Sequence, residues 1–277
     1  MAKGFIGFQD GQGFLYSLSG ASKLIFFLLV SIACMTTYDT RLIAVVGLFS
    51  LFLFKQAGIH FRQVSFALTF VAVFALLNLI VVYLFAPGYG EQIYGHKTIL
   101  LDGVGPFYVT SQELFYLLNL LLKYFCTVPL AILFLMTTNP SQFASSLNQI
   151  GLSYRVAYAV SLTLRYIPDV QEEFVMIRTS QEARGLELSA KANLFQRIKG
   201  NLQIIVPLIF SSLERIDVVS TAMELRRFGK NKKRTWYSRQ DFTVSDYVVI
   251  SLAVAIFLLS LMLLVLNEGR FYNPWQS

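Results

Sequence analysis

The sequence predicts an all-α integral membrane protein, with about five transmembrane helices and a cytoplasmic domain of long amphipathic helices. Three observations carry this. The 277 residues are 55% hydrophobic and 14% charged, against roughly 25% charged in a soluble globular domain. Four apolar stretches are long enough to reach across a bilayer core or most of it, a distance that takes about 20 residues of helix. Between the last two of them lies a basic segment with two runs of apolar residues at helical spacing. A soluble fold of this length has too little interior to hide so much apolar surface, whereas lipid solvates it directly. Composition therefore excludes a soluble enzyme, a disordered chain and a small disulfide scaffold.

The first apolar stretch, 24–54, is too long for one span and is broken by Thr36-Thr37-Tyr38-Asp39-Thr40-Arg41. It reads as a tight hairpin of two short spans, about 24–38 and 42–54. Lys23 before this run, with Ser31-Ile32-Ala33-Cys34 inside it, has a weak likeness to a cleavable signal. The second apolar arm a few residues on argues for a retained anchor. The next span covers 64–86 and stops at Pro87-Gly88. The fourth covers 114–136 with Pro129 inside, and the fifth 244–266. The glycine-rich stretch from Gly88 to Pro106 reads as a connector with room for a short hairpin. Phe271-Tyr272-Asn273-Pro274-Trp275 reads as an aromatic interface anchor.

Charge sets the orientation. The segment 138–242 holds 15 Lys/Arg and 9 Asp/Glu, which places six of the seven net positive charges there. The loop 87–113 holds one basic and three acidic residues. The positive-inside rule puts 138–242 and the N-terminus, with Lys3 and Lys23, in the cytoplasm, and the 87–113 loop and the C-terminus outside. Lys230, Lys232, Lys233 and Arg234, just before the last span, suit anionic lipid headgroups. The expected divisions are 1–137, an N-terminal membrane region; 138–242, the cytoplasmic helices; and 243–277, the last span and its outer tail.

Within 138–242, Val156, Val160, Leu164, Ile167, Phe174 and Ile177 fall on one helix face, and so do Leu202, Ile205, Ile209, Leu213, Ile216, Val219 and Met223. Such stripes need cover from each other, the membrane interface or a partner. Arg165 with Asp169, and Arg178 with Glu182, are spaced as i,i+4 ion pairs. Pro168 and Pro207 are expected to kink the helices or mark their starts. The two patterns end alike: Glu182-Ala183-Arg184-Gly185-Leu186, and Glu224-Leu225-Arg226-Arg227-Phe228-Gly229. An offset of 42 residues superposes Glu182 on Glu224 and Arg184 on Arg226. Each tip has a glycine close behind it, as a helix C-terminus favours. Arginine at a helix C-terminus also suits the helix dipole without any partner. A duplicated tip on one chain, however, points to two equivalent docking points and so to a two-fold partner.

Leu164-Arg165-Tyr166-Ile167-Pro168, Glu172-Glu173 and Glu182-Ala183-Arg184-Gly185, followed by Ala222-Met223-Glu224-Leu225-Arg226-Arg227-Phe228-Gly229, resemble the T component of energy-coupling factor (ECF) transporters, the EcfT or CbiQ-like family. Thr137-Thr138-Asn139-Pro140 and the stretch from Gly13 to Lys23 are similar as well, so the resemblance covers most of the chain. Two departures stand out. Leu225-Arg226-Arg227 replaces an Ala-Arg-Gly-type motif, and Gly20-Ala21-Ser22 replaces an Asp-Pro-Arg before Lys23. The resemblance implies a non-catalytic scaffold of an ABC-type importer for a vitamin or metal ion, in a bacterial plasma membrane. Its implied partners are two ABC-type ATPase subunits, a heterodimer, and a small membrane substrate-binding S component. It implies that Ala183, Arg184, Gly185, Leu225, Arg226 and Arg227 dock the ATPases, with Glu182 and Glu224 in support. No cofactor is expected on this chain, ATP and magnesium being held by the ATPases, and no nucleic acid is expected as a partner.

Other readings are weaker. The sequence has no Walker motif ending in Gly-Lys-Ser/Thr, no His-Glu-x-x-His and no nucleophile elbow, which argues against an enzyme. The two histidines, His60 and His96, lie far apart, and Cys34 and Cys126 sit in apolar runs without a CxxC, so a metal site is not expected. A self-sufficient transporter or channel would need ionisable residues within its spans. Lys123 is the clear case, with Asn78 as a polar companion, and Lys123 could equally pair with a carbonyl or snorkel. A conventional ABC permease that binds its own substrate is the remaining alternative.

Overall fold

The computed structural model describes residues 11, 13–101, 108–185, 194–230, 235–237 and 239–275. Lys3, Leu186, Lys232, Lys233, Arg234 and the Gly103–Pro106 part of the connector lie outside them. The described chain is helical apart from one short antiparallel pair of strands. It divides into two compact units, 1–146 with 240–277, and 147–239.

The first unit is the membrane unit. It contains α1 (Phe14–Ser17), α2 (Gly20–Thr36), α3 (Thr40–Gln56), α4 (Phe61–Phe85), α5 (Tyr89–Tyr94), β1 (Ile99–Leu101), β2 (Val109–Thr110), α6 (Ser111–Thr137), most of α7 (Pro140–Gln149) and α10 (Val244–Leu266). Among the described residues, α4, α6 and α10 are long and apolar enough to cross a membrane. The hairpin is two 17-residue helices, α2 and α3, each about 26 Å long and so close to the roughly 30 Å hydrocarbon core. Asp39 makes the break between them. Its carboxylate accepts the Arg41 N–H at 3.0 Å and starts α3, as an N-cap does. The connector holds α5 and the β1–β2 pair, with Ile99 opposite Thr110.

Helices α2, α3 and α6 start two to four residues earlier than hydropathy alone indicates, because the side chains of Ser19, Asp39 and Thr110 cap them. Ser19 caps α2 by accepting the Ser22 N–H at 3.2 Å. The fully buried Asp246, in the first turn of α10, ties that start to α10. It accepts from the Ser19 N–H at 2.8 Å, the Ser22 hydroxyl at 2.6 Å, and the N–H and hydroxyl of Thr243 at 2.8 and 2.7 Å. Where hydrogen-bonding neighbours are scarce, a carboxylate with four donors holds its helices in one register. Gly20 lets α2 approach α7 closely. A Cβ there would meet the Ser146 hydroxyl at 2.5 Å and the Gln142 carbonyl oxygen at 3.1 Å.

The core lies where α2, α3 and α6 meet and includes Val30, Cys34, Ile43, Val46, Cys126, Leu130 and Met136. The main helix contacts run α10 on α2, α2 on α6 and α3 on α6. Two lysines clasp α2 and α6 reciprocally. Lys23 on α2 donates to the carbonyl of Thr137, the last residue of α6, at 2.9 Å. Lys123 on α6 donates to the carbonyl of Met35, in the last turn of α2, at 2.9 Å, and its ammonium lies 3.2 Å from the centre of the Tyr38 ring. Each cation thus satisfies a carbonyl that its helix end leaves without an intrahelical partner, at the negative end of that helix's dipole. Of the roles open to Lys123 from sequence, the structure selects carbonyl pairing. Cys34 and Cys126 are fully buried free thiols whose sulfurs meet between the same two helices.

Candidate functional site

The second unit carries the candidate docking tips. It is built on α8 (Tyr154–Ala183) and α9 (Leu194–Leu225). Ser153 caps α8 by accepting the Val156 N–H at 3.4 Å. Pro168 and Pro207 lie inside the two helices, which continue through them.

The helices pack antiparallel, as their polar contacts show. Arg155 of α8 donates to the carbonyl of Gly229, just past α9, at 3.1 Å. Arg215 of α9 pairs with Glu173 at 2.9 Å and with Asp169 at 3.8 Å. Glu173 also accepts from the Ser211 hydroxyl. Asp169, placed by spacing opposite Arg165, thus turns instead to the neighbouring helix, where Arg215 brings a second carboxylate into the same cluster. The other expected pair forms, with Arg178 Nε 2.8 Å from Glu182.

This pattern gives the 42-residue repeat a geometric meaning. Adding 42 converts position 169 to 211 and 173 to 215. The Asp169–Arg215 and Glu173–Ser211 contacts therefore exchange, while Glu173–Arg215 maps onto itself. Two copies of one helix-and-tip unit are related by an approximate two-fold axis through this crossing. Arg184 lies 11 residues beyond Glu173 and Arg226 lies 11 beyond Arg215. In an antiparallel pair the tips then extend opposite ways, each roughly 16 Å along the helices from the crossing.

The tips share a backbone as well as a sequence. At the first, Ala183 ends α8, Arg184 is the C-cap and Gly185 is left-handed at φ 89°. At the second, Leu225 ends α9, and the Arg227 N–H donates to Glu224 O at 2.8 Å and the Phe228 N–H to Met223 O at 2.9 Å. These are the two bonds of a Schellman motif, which makes Arg226 the C-cap and Arg227 the left-handed residue after it. Arg227 has φ 52°. The second tip therefore ends at Arg227, two residues before the glycine expected to end it. Arg227 fills the position that Gly185 fills in the first tip, so the departure from Ala-Arg-Gly replaces that glycine as well as the alanine before the central arginine. Ala183, Arg184, Gly185, Leu225, Arg226 and Arg227 are all exposed, Leu225 at 81%. Glu182 is held by Arg178, and Glu224 lines the groove between the helices.

Sequence reasoning missed an aromatic clamp beside the second tip. Phe228 packs against Tyr154 and Tyr158, with ring centres 5.8 and 4.6 Å apart, and Trp236 packs on Tyr154 at 5.2 Å. The Trp236 indole N–H donates to Asn148 at 3.2 Å. Tyr154 and Tyr158 at i,i+4 were the available signal. The apolar stripes also differ from a simple mutual zipper. Leu202, Ile205, Ile209, Leu213 and Ile216 of α9 stay exposed, with Phe210 at 66%. An apolar groove of about 800 Å³ between Tyr166, Val170, Ile216, Val219, Met223 and Phe228 lies open between the helices.

These elements define a multi-pass, all-α membrane protein that displays a two-fold pair of arginine-tipped helices. The chain belongs to the CbiQ family of cobalt transport proteins, which it matches over residues 12–237. It is similar to the energy-coupling factor transporter transmembrane protein EcfT of Streptococcus thermophilus, at 25% identity over 93% of this chain and 96% of the relative. It is equally similar to the EcfT protein of Exiguobacterium sibiricum, at 25% identity over 94% and 97%. A 110-residue stretch is 33% identical to EcfT of Staphylococcus aureus, covering 38% of this chain and 41% of that one.

Proposed function

We propose that this chain is the T component of an ECF-type importer, a non-catalytic membrane scaffold that passes ATP-driven motion to a substrate-binding membrane protein. The cargo class is a vitamin or a metal ion. The observation that carries the reading is the pair of equivalent, exposed arginine C-caps extending from opposite ends of one approximately two-fold helix pair. A dimer of ATPases presents two related grooves, and two related tips fit it. A guanidinium offers five donors in a planar fork, suited to a carboxylate or a cluster of backbone carbonyls. Alanine and glycine flanking Arg184 let a partner surface come close. Leu225 and Arg227 around Arg226 make a bulkier tip, which suits a heterodimer with one groove for each. ATP and magnesium reside on those partners.

Closure of the ATPases would move the two tips relative to each other. The helices would carry that motion as rigid levers, a switch driven by different contacts in two states. The exposed apolar face of α9 is the surface that would slide against the S component at the membrane. Apolar patches of this extent mark interaction surfaces. The test is Arg184→Glu with Arg226→Glu. Membrane insertion should persist while co-purification of both ATPases is lost. Recovery of both ATPases with the double variant would refute the assignment.

A further inference from the structure

Between α3 and α10 the membrane unit leaves an apolar crevice of about 450 Å³. These helices pack mainly on α6 and α2 respectively, and so stand apart from each other. Leu42, Val45 and Phe49 line one wall, and Leu252, Ile256 and Leu259 the other. Both sets follow helical i,i+3/i+4 spacing, so each wall is one continuous stripe. From Leu42 to Phe49, and from Leu252 to Leu263 at its other edge, the crevice runs roughly 10–17 Å along the helices. That matches one leaflet's share, about 15 Å, of the hydrocarbon core.

One end of the crevice is charged. Arg41 lines it at the α2–α3 turn, where interfacial residues belong. Its guanidinium is stacked over the Tyr272 ring, 3.9 Å from the ring centre, and donates to the Tyr272 hydroxyl. Tyr272 leaves most of its five donors available. Among the described residues Arg41 makes no ion pair. Asp39, two residues upstream, is occupied by the Arg41 backbone N–H at 3.0 Å and the Asn267 amide at 2.9 Å. An oriented cation therefore stands over a leaflet-deep apolar slot.

We infer that this crevice is a binding site for one anionic phospholipid of the leaflet at the α2–α3 turn, with an acyl chain between α3 and α10 and its phosphate on Arg41. The apolar walls replace neighbouring lipid tails with fixed side chains. The guanidinium pairs with phosphate oxygens bidentately, as a planar fork can. The shape of the slot selects an acyl chain, and Arg41 selects the phosphodiester.

Native mass spectrometry of the full-length protein in mild detergent tests this, with phosphatidylglycerol and diacylglycerol of matched chains as probes. The wild type should retain one phosphatidylglycerol and bind it at least tenfold more tightly than diacylglycerol. Arg41→Gln should bring phosphatidylglycerol down to the diacylglycerol level, and Arg41→Lys should keep part of the preference. Leu259→Trp, which fills the slot from a half-exposed position, should lose both lipids. Ile80→Trp, on the exposed face of α4, should change neither. Millimolar inorganic phosphate should not displace the lipid, since it lacks a chain. Unchanged phosphatidylglycerol retention in Arg41→Gln or in Leu259→Trp would overturn the inference. So would a protein dimer that Leu259→Trp dissociates, because a second copy would then be the occupant.

Discussion

Arg227 offers a sharp test of the tip geometry. It holds φ 52° at the position where the first tip uses Gly185. A residue with a Cβ costs about 1–2 kcal/mol in the left-handed region. Glycine removes that cost and gives back part of it as extra freedom in the open chain. Arg227→Ala and Arg227→Gly both delete the side chain, so their difference isolates the backbone, with a net of about 1 kcal/mol in favour of glycine. The Phe228 N–H, bonded to Met223 O at 2.9 Å, reports opening of the motif directly. Its hydrogen exchange should be about fivefold slower in Arg227→Gly than in Arg227→Ala. At the first tip the sign reverses. A Cβ at Gly185 would meet nothing within 4 Å, so Gly185→Ala carries the torsional cost alone and should loosen the end of α8 by about 1 kcal/mol. Equal exchange in the two Arg227 variants, or faster exchange with glycine, would refute the equivalence of the tips.

Further outcomes follow from the same structure. Lys123→Met should lower the melting temperature in detergent, because a hydrogen bond from a charged group to the end of α2 is lost, about 1.5–3 kcal/mol. It should spare uptake in the assembled transporter, and abolished uptake at unchanged stability would restore a pathway role for Lys123. Gly20→Ala should cost about 1–3 kcal/mol by forcing α2 from α7. Adding Ser146→Ala should recover only part of this, since the Gln142 carbonyl also stands in the way; full recovery in a thermal-shift assay would contradict the close approach. Glu173→Ala, at the crossing of α8 and α9, removes the acceptor for both Ser211 and Arg215. Hydrogen exchange should rise across 165–177 and 207–219 together, and a rise in one helix alone would argue against a shared two-fold contact.

Much of this molecule is written in local patterns. Apolar run length marked the membrane helices, and Thr36–Arg41 marked the break because Asp39 is a ready cap. The repeat was visible because Glu182 and Glu224, and Arg184 and Arg226, keep one spacing. What stayed hidden depends on residues distant in the chain. Nothing near Lys123 indicates that its partner is the carbonyl of Met35, 88 residues away. Asp246 gives no sign of Ser19 and Ser22. Asp169 had a plausible partner four residues away and took Arg215 instead. The end of the second tip was misplaced for a different reason. Glycine is the usual signal for a left-handed C-terminus, and here an arginine holds it while Gly229, also left-handed at φ 84°, follows two residues later. The geometric sense of the 42-residue offset needed the antiparallel packing, which sequence does not state.

The proposed role requires each arginine tip to seat in one subunit of an ATPase pair. A photocrosslinking amino acid placed at Ala183 or at Leu225, both exposed beside their arginines, reads this out in the native membrane. Each position should give an adduct with an ATPase subunit, with a different subunit at each position if the pair is a heterodimer. Adducts with lipid, or with this chain itself, at either tip would contradict it.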